Sequence, residues 1–171
     1  MAEFIDPAIV PKVTLPSGEK VPCMGMGTFG SDRVSAEDVS AAVAGAIRSG
    51  YRMFDCAACY GNEHQIGEVF KTAFDEGVVE RKDLFIMTKV WNDMHNRVKE
   101  SCEKSLKDLR VSYLDLYLVH WPNPQQGTFI EACHGLEELV QAGKLRAWGV
   151  SNFKPAHLQA VYDVGLRPAL N

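Results

Sequence analysis

One pattern constrains this chain more than any other. A short apolar run followed by an amphipathic stretch recurs five times, about 30 residues apart, the length of a βα unit. The first run is Cys23 to Phe29. Its helix is signalled by the capping-box-like Ser35-Ala-Glu-Asp38, then by Val39, Ala42, Val43, Ala46 and Ile47 at helical spacing, with Gly50 as the stop. The second run is Arg52 to Asp55. Its helix is expected to be capped by Asn62 with Gln65, to face inward through Ile66, Val69, Phe70 and Ala73, and to end at Gly77. The third run is Leu84 to Val90, and its helix is expected from near Asp93 with Val98, Cys102, Leu106 and Leu109 inside. Leu114 to His120 is nearly continuous in apolar residues, as in a parallel strand covered on both faces. Its helix runs from about Phe129 to Gly143. Leu145 to Val150 is the fifth strand, and its helix carries Pro155 in the first turn, with Leu158, Val161 and Tyr162 as its face. Pro168 to Asn171 reads as the start of a sixth strand.

Strands alternating with helices mean a parallel sheet with helices outside it. A doubly wound sheet and a (β/α)₈ TIM-type barrel both fit. A complete barrel needs about 250 residues, so a barrel of 171 residues is expected to be truncated after about five units. Before the repeat, residues 1–11 read as a loose lead-in. Residues 13–22 read as an N-terminal β-hairpin around Pro16-Ser17-Gly18. The expectation is one domain, 1–171, with the βα units over 23–171.

Bulk properties exclude several classes. No apolar run is long enough for a membrane span and no secretory signal is seen, so a cytoplasmic protein is expected. A net charge of −4 with the signs interspersed argues against nucleic-acid binding. The five cysteines are an odd count in a chain without an export signal, which favours reduced thiols.

Three apolar runs deliver a titratable residue at their C-terminal ends: Asp55, Lys89 and His120, with Tyr60 in the loop above the first. In parallel βα arrays that end carries the active site. A phenol is a poor proton donor at neutral pH unless a nearby cation stabilises the phenolate, and Lys89 can supply one. An inward lysine needs a partner to stay charged, and Asp55 can be that partner. A histidine beside them can orient a carbonyl oxygen or relay a proton. The set suits reduction of an aldehyde or ketone. No side chain supplies hydride, so a nicotinamide cofactor is implied.

The motifs resemble those of the aldo-keto reductase family along nearly the whole chain. They are Phe54-Asp55-Cys-Ala-Ala-Cys-Tyr60-Gly61-Asn62-Glu63, Thr88-Lys89-Val90-Trp91, Leu118-Val119-His120-Trp121-Pro122 and Gly149-Val150-Ser151-Asn152-Phe153. The resemblance implies a (β/α)₈ barrel closed at its base by the hairpin, and NADPH-dependent carbonyl reduction, with NADH as the alternative nucleotide. It implies Tyr60 as proton donor, tuned by Lys89 and Asp55, with His120 orienting the substrate. It places Gly27, Thr28, Asp55, Ser151 and Asn152 at the cofactor, and Phe29, Trp91, His120 and Trp121 at a small carbonyl substrate. No metal is implied.

The sequence also departs from the family pattern. Phe29 stands where many members have Trp, Cys56 and Cys59 replace commoner small residues, and the loop after Trp121 is short. A chain ending at Asn171 lacks the family's last third, so a fragment or short isoform with weak cofactor affinity is expected. Its open sheet edges and exposed inner face favour self-association. Two rival readings stand beside the reductase: a redox or zinc site at Cys56-Ala-Ala-Cys59 with His64, and a non-catalytic interaction or structural protein derived from the fold. The remaining cysteines read as core, His95, His134 and His157 as surface, and Glu63 and Glu68 as acids suited to a helix N-terminus.

Overall fold

A computed structural model describes residues 5–30 and 33–171. Strands β1 (Lys12–Thr14) and β2 (Lys20–Pro22) pair antiparallel with Val13 opposite Val21, forming the expected hairpin. The repeat follows as β3 (Met26–Gly27), α1 (Ala36–Arg48), β4 (Met53–Asp55), α2 (Glu63–Asp75), β5 (Phe85–Val90) and α3 (Val98–Asp108). It continues as β6 (Leu114–Val119), α4 (Phe129–Gln141), β7 (Leu145–Val150) and α5 (Pro155–Asp163).

Strands β3 to β7 form one parallel sheet whose spatial order is their chain order. A doubly wound sheet reverses its order at a switch point, and this sheet does not. Crossovers of one hand in an unreversed order put every helix on the same side of the sheet. The architecture is therefore of the barrel type, with five βα units of its wall present.

Local chemistry sets the element ends. Ser35 Oγ accepts from the Asp38 amide at 3.0 Å and starts α1. Thr128 and Glu131 form a capping box on α4, each side chain accepting from the other's backbone amide at 3.1 and 2.6 Å. Gly77 and Gly143, at φ of 66° and 70°, close α2 and α4 in a conformation that side chains resist.

The sheet separates two apolar layers. Phe54, Ile86, Tyr117 and Trp148 face the helices and pack with Val43, Ile66, Phe70, Cys102 and Leu136. Phe85, Met87, Leu116, Leu118 and Ala147 face the other way and pack with Leu15 of the hairpin turn. The inner face is thus not bare as expected, because Leu15, Val21 and Ala169 lie against it. Residues 168–171 also engage β7 without becoming a regular strand. The Ala169 amide donates to the Trp148 carbonyl, and the Val150 amide to that of Leu170, each at 2.9 Å.

Several local expectations need correction. Of the lead-in, residues 1–4 lie outside the described residues, and Pro7–Ile9 forms a 3₁₀ turn capped by Asp6. The first strand shortens to two residues. Helix α3 begins at Val98, because Asn92–Met94 makes a 3₁₀ turn that is held by the Gln125 amide donating to the Asn92 carbonyl at 2.7 Å. Ala42, Tyr162 and Cys23 face solvent. His95 is buried at 1% exposure, at the end of the 3₁₀ turn that follows β5.

Two glycines make opposite predictions. Gly67 lets α2 approach the end of α3 so closely that a Cβ there would meet the Asp108 carbonyl oxygen at 1.9 Å. Gly45 lies in α1 with nothing within 4 Å of a Cβ. In urea unfolding, Gly67→Ala is expected to lose about 1–3 kcal/mol by overpacking. Gly45→Ala is expected to gain about 0.5–1 kcal/mol of helix stability.

Candidate active site

Register brings the titratable residues together. Side chains alternate along a strand, so Met53 and Asp55, Met87 and Lys89, and Leu118 and His120 point inward in pairs. Asp55 sits level with Met87, and Lys89 level with Leu118. Each successive polar group therefore projects one pleat beyond the apolar layer, on three adjacent strands. The short 3₁₀ turn Ala58–Tyr60 then folds Tyr60 back over them.

Lys89 is the centre of the group. Its side chain is only 5% exposed, against 40% for Asp55. Nζ lies 2.5 Å from Asp55 Oδ1, 2.7 Å from the Cys56 carbonyl oxygen and 3.4 Å from the Tyr60 phenol oxygen. An ammonium has three N–H donors, and these contacts use all of them. The Tyr60 oxygen accepts from Lys89, which leaves the phenol's own proton free to point elsewhere.

His120 completes the cluster. Its ring lies edge to face with Tyr60 at 5.8 Å and with Trp91 at 5.1 Å, and stacks on Trp121 at 6.5 Å. Burial, reinforced by the charge of Lys89 and only partly opposed by Asp55, pushes the imidazole down to about 4. It is neutral at pH 7. Phe29 packs on Tyr60 at 5.0 Å between ring centroids and is 69% exposed, a wall open to solvent.

The residues singled out on the strand ends surround this group. Gly27 pairs with Asp55, and a Cβ on it would meet nothing within 4 Å. The Thr28 amide and hydroxyl both donate to the Asp55 carbonyl at 3.0 Å, fixing the backbone beneath the carboxylate. Asn152 adopts φ of 62°, and its Nδ2 donates to the His120 carbonyl at 2.9 Å and to Ser151 Oγ at 3.0 Å. The β7 loop is thereby tied to the β6 loop.

Three supporting residues escaped the sequence reading. Glu63 is a buried acid that accepts from Thr88 Oγ1 at 2.6 Å and Ser105 Oγ at 3.0 Å. Burial pushes its carboxyl up, while these hydrogen bonds pull it back only in part. It anchors α2 to β5 directly beside Lys89. Asn62 is the N-cap residue of α2, but its side chain makes no capping bond and its Nδ2 instead donates to the Thr28 carbonyl at 2.8 Å. Cys59 Sγ lies 3.5 Å from His120 Nδ1. For Glu63 and Asn62 the sequence signal read as helix-start chemistry, since nothing local distinguishes a solvated acid from a buried one.

Burial of Cys56 argues against a reactive dithiol at Cys56 and Cys59. Cys56 is fully buried and its thiol is pushed up to about 12 by desolvation, and burial also raises Cys59. A cavity of about 420 Å³ lies at the opposite end of the sheet between Pro7, Tyr51, Arg52 and Lys82, and holds none of the titratable cluster. The cluster instead borders an aromatic rim that is open to solvent at Phe29 and Trp121.

Comparison with known proteins identifies the family. A family model described as the aldo/keto reductase family matches residues 23–171. The methylglyoxal reductase DkgA of Escherichia coli O157:H7 is 42% identical over 160 residues, covering 93% of this chain and 56% of that protein. An aldose reductase of Encephalitozoon cuniculi is 37% identical, covering 92% and 61%. The crystal structure of a Bombyx mori aldo-keto reductase in complex with NADP superposes with a TM-score of 0.87 at 35% identity, covering 94% of this chain and 56% of that one. The fold is that of a βα-barrel wall. The chain belongs to the aldo-keto reductase family. It spans just over half the length of the relatives it matches, 56% for DkgA. Among the described residues no helix is long and apolar enough to cross a membrane.

His120 predicts an acid limb in stability. Its folded value of about 4 lies below the roughly 6.5 of an unfolded histidine, so the unfolded chain binds the proton first as pH falls. Stability present above pH ~6.5 is lost as pH drops towards 4, by on the order of 2 kcal/mol from this residue. Burial lowers His95 as well, so it adds in the same direction. In urea melts the stability gap between the wild type and His120→Gln should narrow by that amount between about pH 7 and pH 4. A gap independent of pH would contradict it.

Proposed function

We propose that this chain reduces the carbonyl of small aldehydes and ketones to an alcohol, with NADPH as reductant and Tyr60 as proton donor. The hairpin and the βα units act as one domain in this reading. The observation that carries it is the state of the Tyr60 oxygen. It accepts from an ammonium whose other two donors are held by Asp55 and the Cys56 carbonyl. Its own proton is therefore available to a substrate oxygen. Negative charge left on the phenol is met by the nearly buried ammonium of Lys89.

The rim residues fit a nicotinamide. Among the described residues nothing donates to Asn152 Oδ1, which can accept from a carboxamide N–H₂, and the Ser151 hydroxyl keeps its proton for the carboxamide oxygen. The open side of Gly27, with Thr28 and the exposed part of Asp55, borders the same face. When bound, the nucleotide supplies the hydride that no side chain can.

Neutral His120 offers a hydrogen bond that orients the carbonyl, and its ring is close enough to Tyr60 for both to reach one oxygen. Phe29, Trp91 and Trp121 form apolar walls. A small 2-oxoaldehyde suits a site with walls this exposed, and the relatives named methylglyoxal reductase support that substrate class.

The test is NADPH oxidation by the purified chain with methylglyoxal, alongside a fluorescence titration of NADPH. Tyr60→Phe should lose about 10²–10⁴-fold in kcat while NADPH affinity is unchanged. Lys89→Met should lose activity to a similar degree. A chain that neither binds nucleotide nor turns over an aldehyde would sink the proposal.

A further inference from the structure

The reductase reading asks His120 to present a hydrogen to the substrate, and this inference rests on that reading. A neutral imidazole carries its single N–H on either nitrogen, and which one is set by the partner of the other. Around this ring, Trp91, Trp121 and Tyr60 make aromatic contacts only. Among the described residues Cys59 Sγ, 3.5 Å from Nδ1, is the ring's hydrogen-bonding partner, and none bonds Nε2.

We infer that Cys59 is a positioning residue: its S–H donates to Nδ1 of His120 and so places the ring proton on Nε2, the nitrogen left open to substrate. Chemistry favours that direction over the reverse. A thiol sulfur is a poor acceptor, whereas an imidazole lone pair is a good one. Partial burial raises the Cys59 thiol, so it keeps the proton it must donate. Attachment favours it too. Cys59 sits in the 3₁₀ turn that also carries Tyr60, and the carbonyl of His120 is held by Asn152. The turn that delivers the proton donor therefore also sets the tautomer of its neighbour.

The readout is the tautomer itself, by long-range ¹H–¹⁵N correlation spectra of the ¹⁵N-labelled chain at neutral pH, with His120 assigned by comparison with His120→Gln. The wild type should show a pyridine-type Nδ1 and a pyrrole-type Nε2. Cys59→Ser should keep that pattern, since a hydroxyl also donates. Cys59→Ala and Cys59→Val should move both nitrogens towards the averaged shifts of a free neutral imidazole. A pyrrole-type Nδ1 in the wild type, or an unchanged tautomer in Cys59→Val, overturns the assignment. In parallel, kcat/KM for methylglyoxal should fall about five-fold in Cys59→Val, the worth of one ordinary hydrogen bond, and recover in Cys59→Ser. The expected tautomers without wild-type turnover would refute the reductase reading and support this assignment. Turnover with a tautomer indifferent to Cys59 would do the reverse.

Discussion

The site depends on one ammonium kept charged inside the protein. Lys89 is nearly removed from water, and a buried cation is tolerated only where its donors are all met. They are met by a carboxylate from β4, a backbone carbonyl just beyond it and the phenol in the following turn. These three acceptors come from one short stretch, residues 55–60, and the donor from the neighbouring strand. The β4–β5 register is therefore a condition of this pairing. A slip of one residue would turn Lys89 to the helical side and leave both charges unpaired.

Around that pair the protein builds rigidity from buried polar links. Glu63 joins α2 to Thr88 and to Ser105 of α3, Asn62 joins the loop after β4 to Thr28, and Asn152 joins the loop after β7 to His120. Each link connects a different pair of elements, so together they fix the loops that carry the site. Tyr117 and Ser101, 2.9 Å apart, do the same on the helical side of β6.

The opposite end of the sheet is held by charge. Buried Asp115 accepts from Arg81 at 2.8 Å and from the Ile86 amide at 2.9 Å, with Arg146 at 3.5 Å. The Tyr113 ring lies between Arg81 and Arg146, with centroid distances of 3.9 and 4.6 Å, and Arg146 reaches Glu19 of the hairpin at 3.7 Å. One end of the strands is thus braced by ion pairs while the other presents the titratable cluster, the division of labour expected of βα-barrel sheets.

What the sequence determined by itself was the local and periodic part. The spacing of apolar runs, the Ser35 and Thr128 caps and the glycines at helix ends specified five βα units. Strand-end position and residue type singled out Asp55, Tyr60, Lys89 and His120, because both are visible within a few residues. What only the tertiary structure decided depends on burial and register, which sum contributions from segments far apart in the chain. These are the unreversed strand order, the three partners of Lys89 and the depressed proton affinity of His120. The same holds for Glu63 and His95, buried where their local sequence suits solvent, and for the placing of Cys59 against the histidine of another strand.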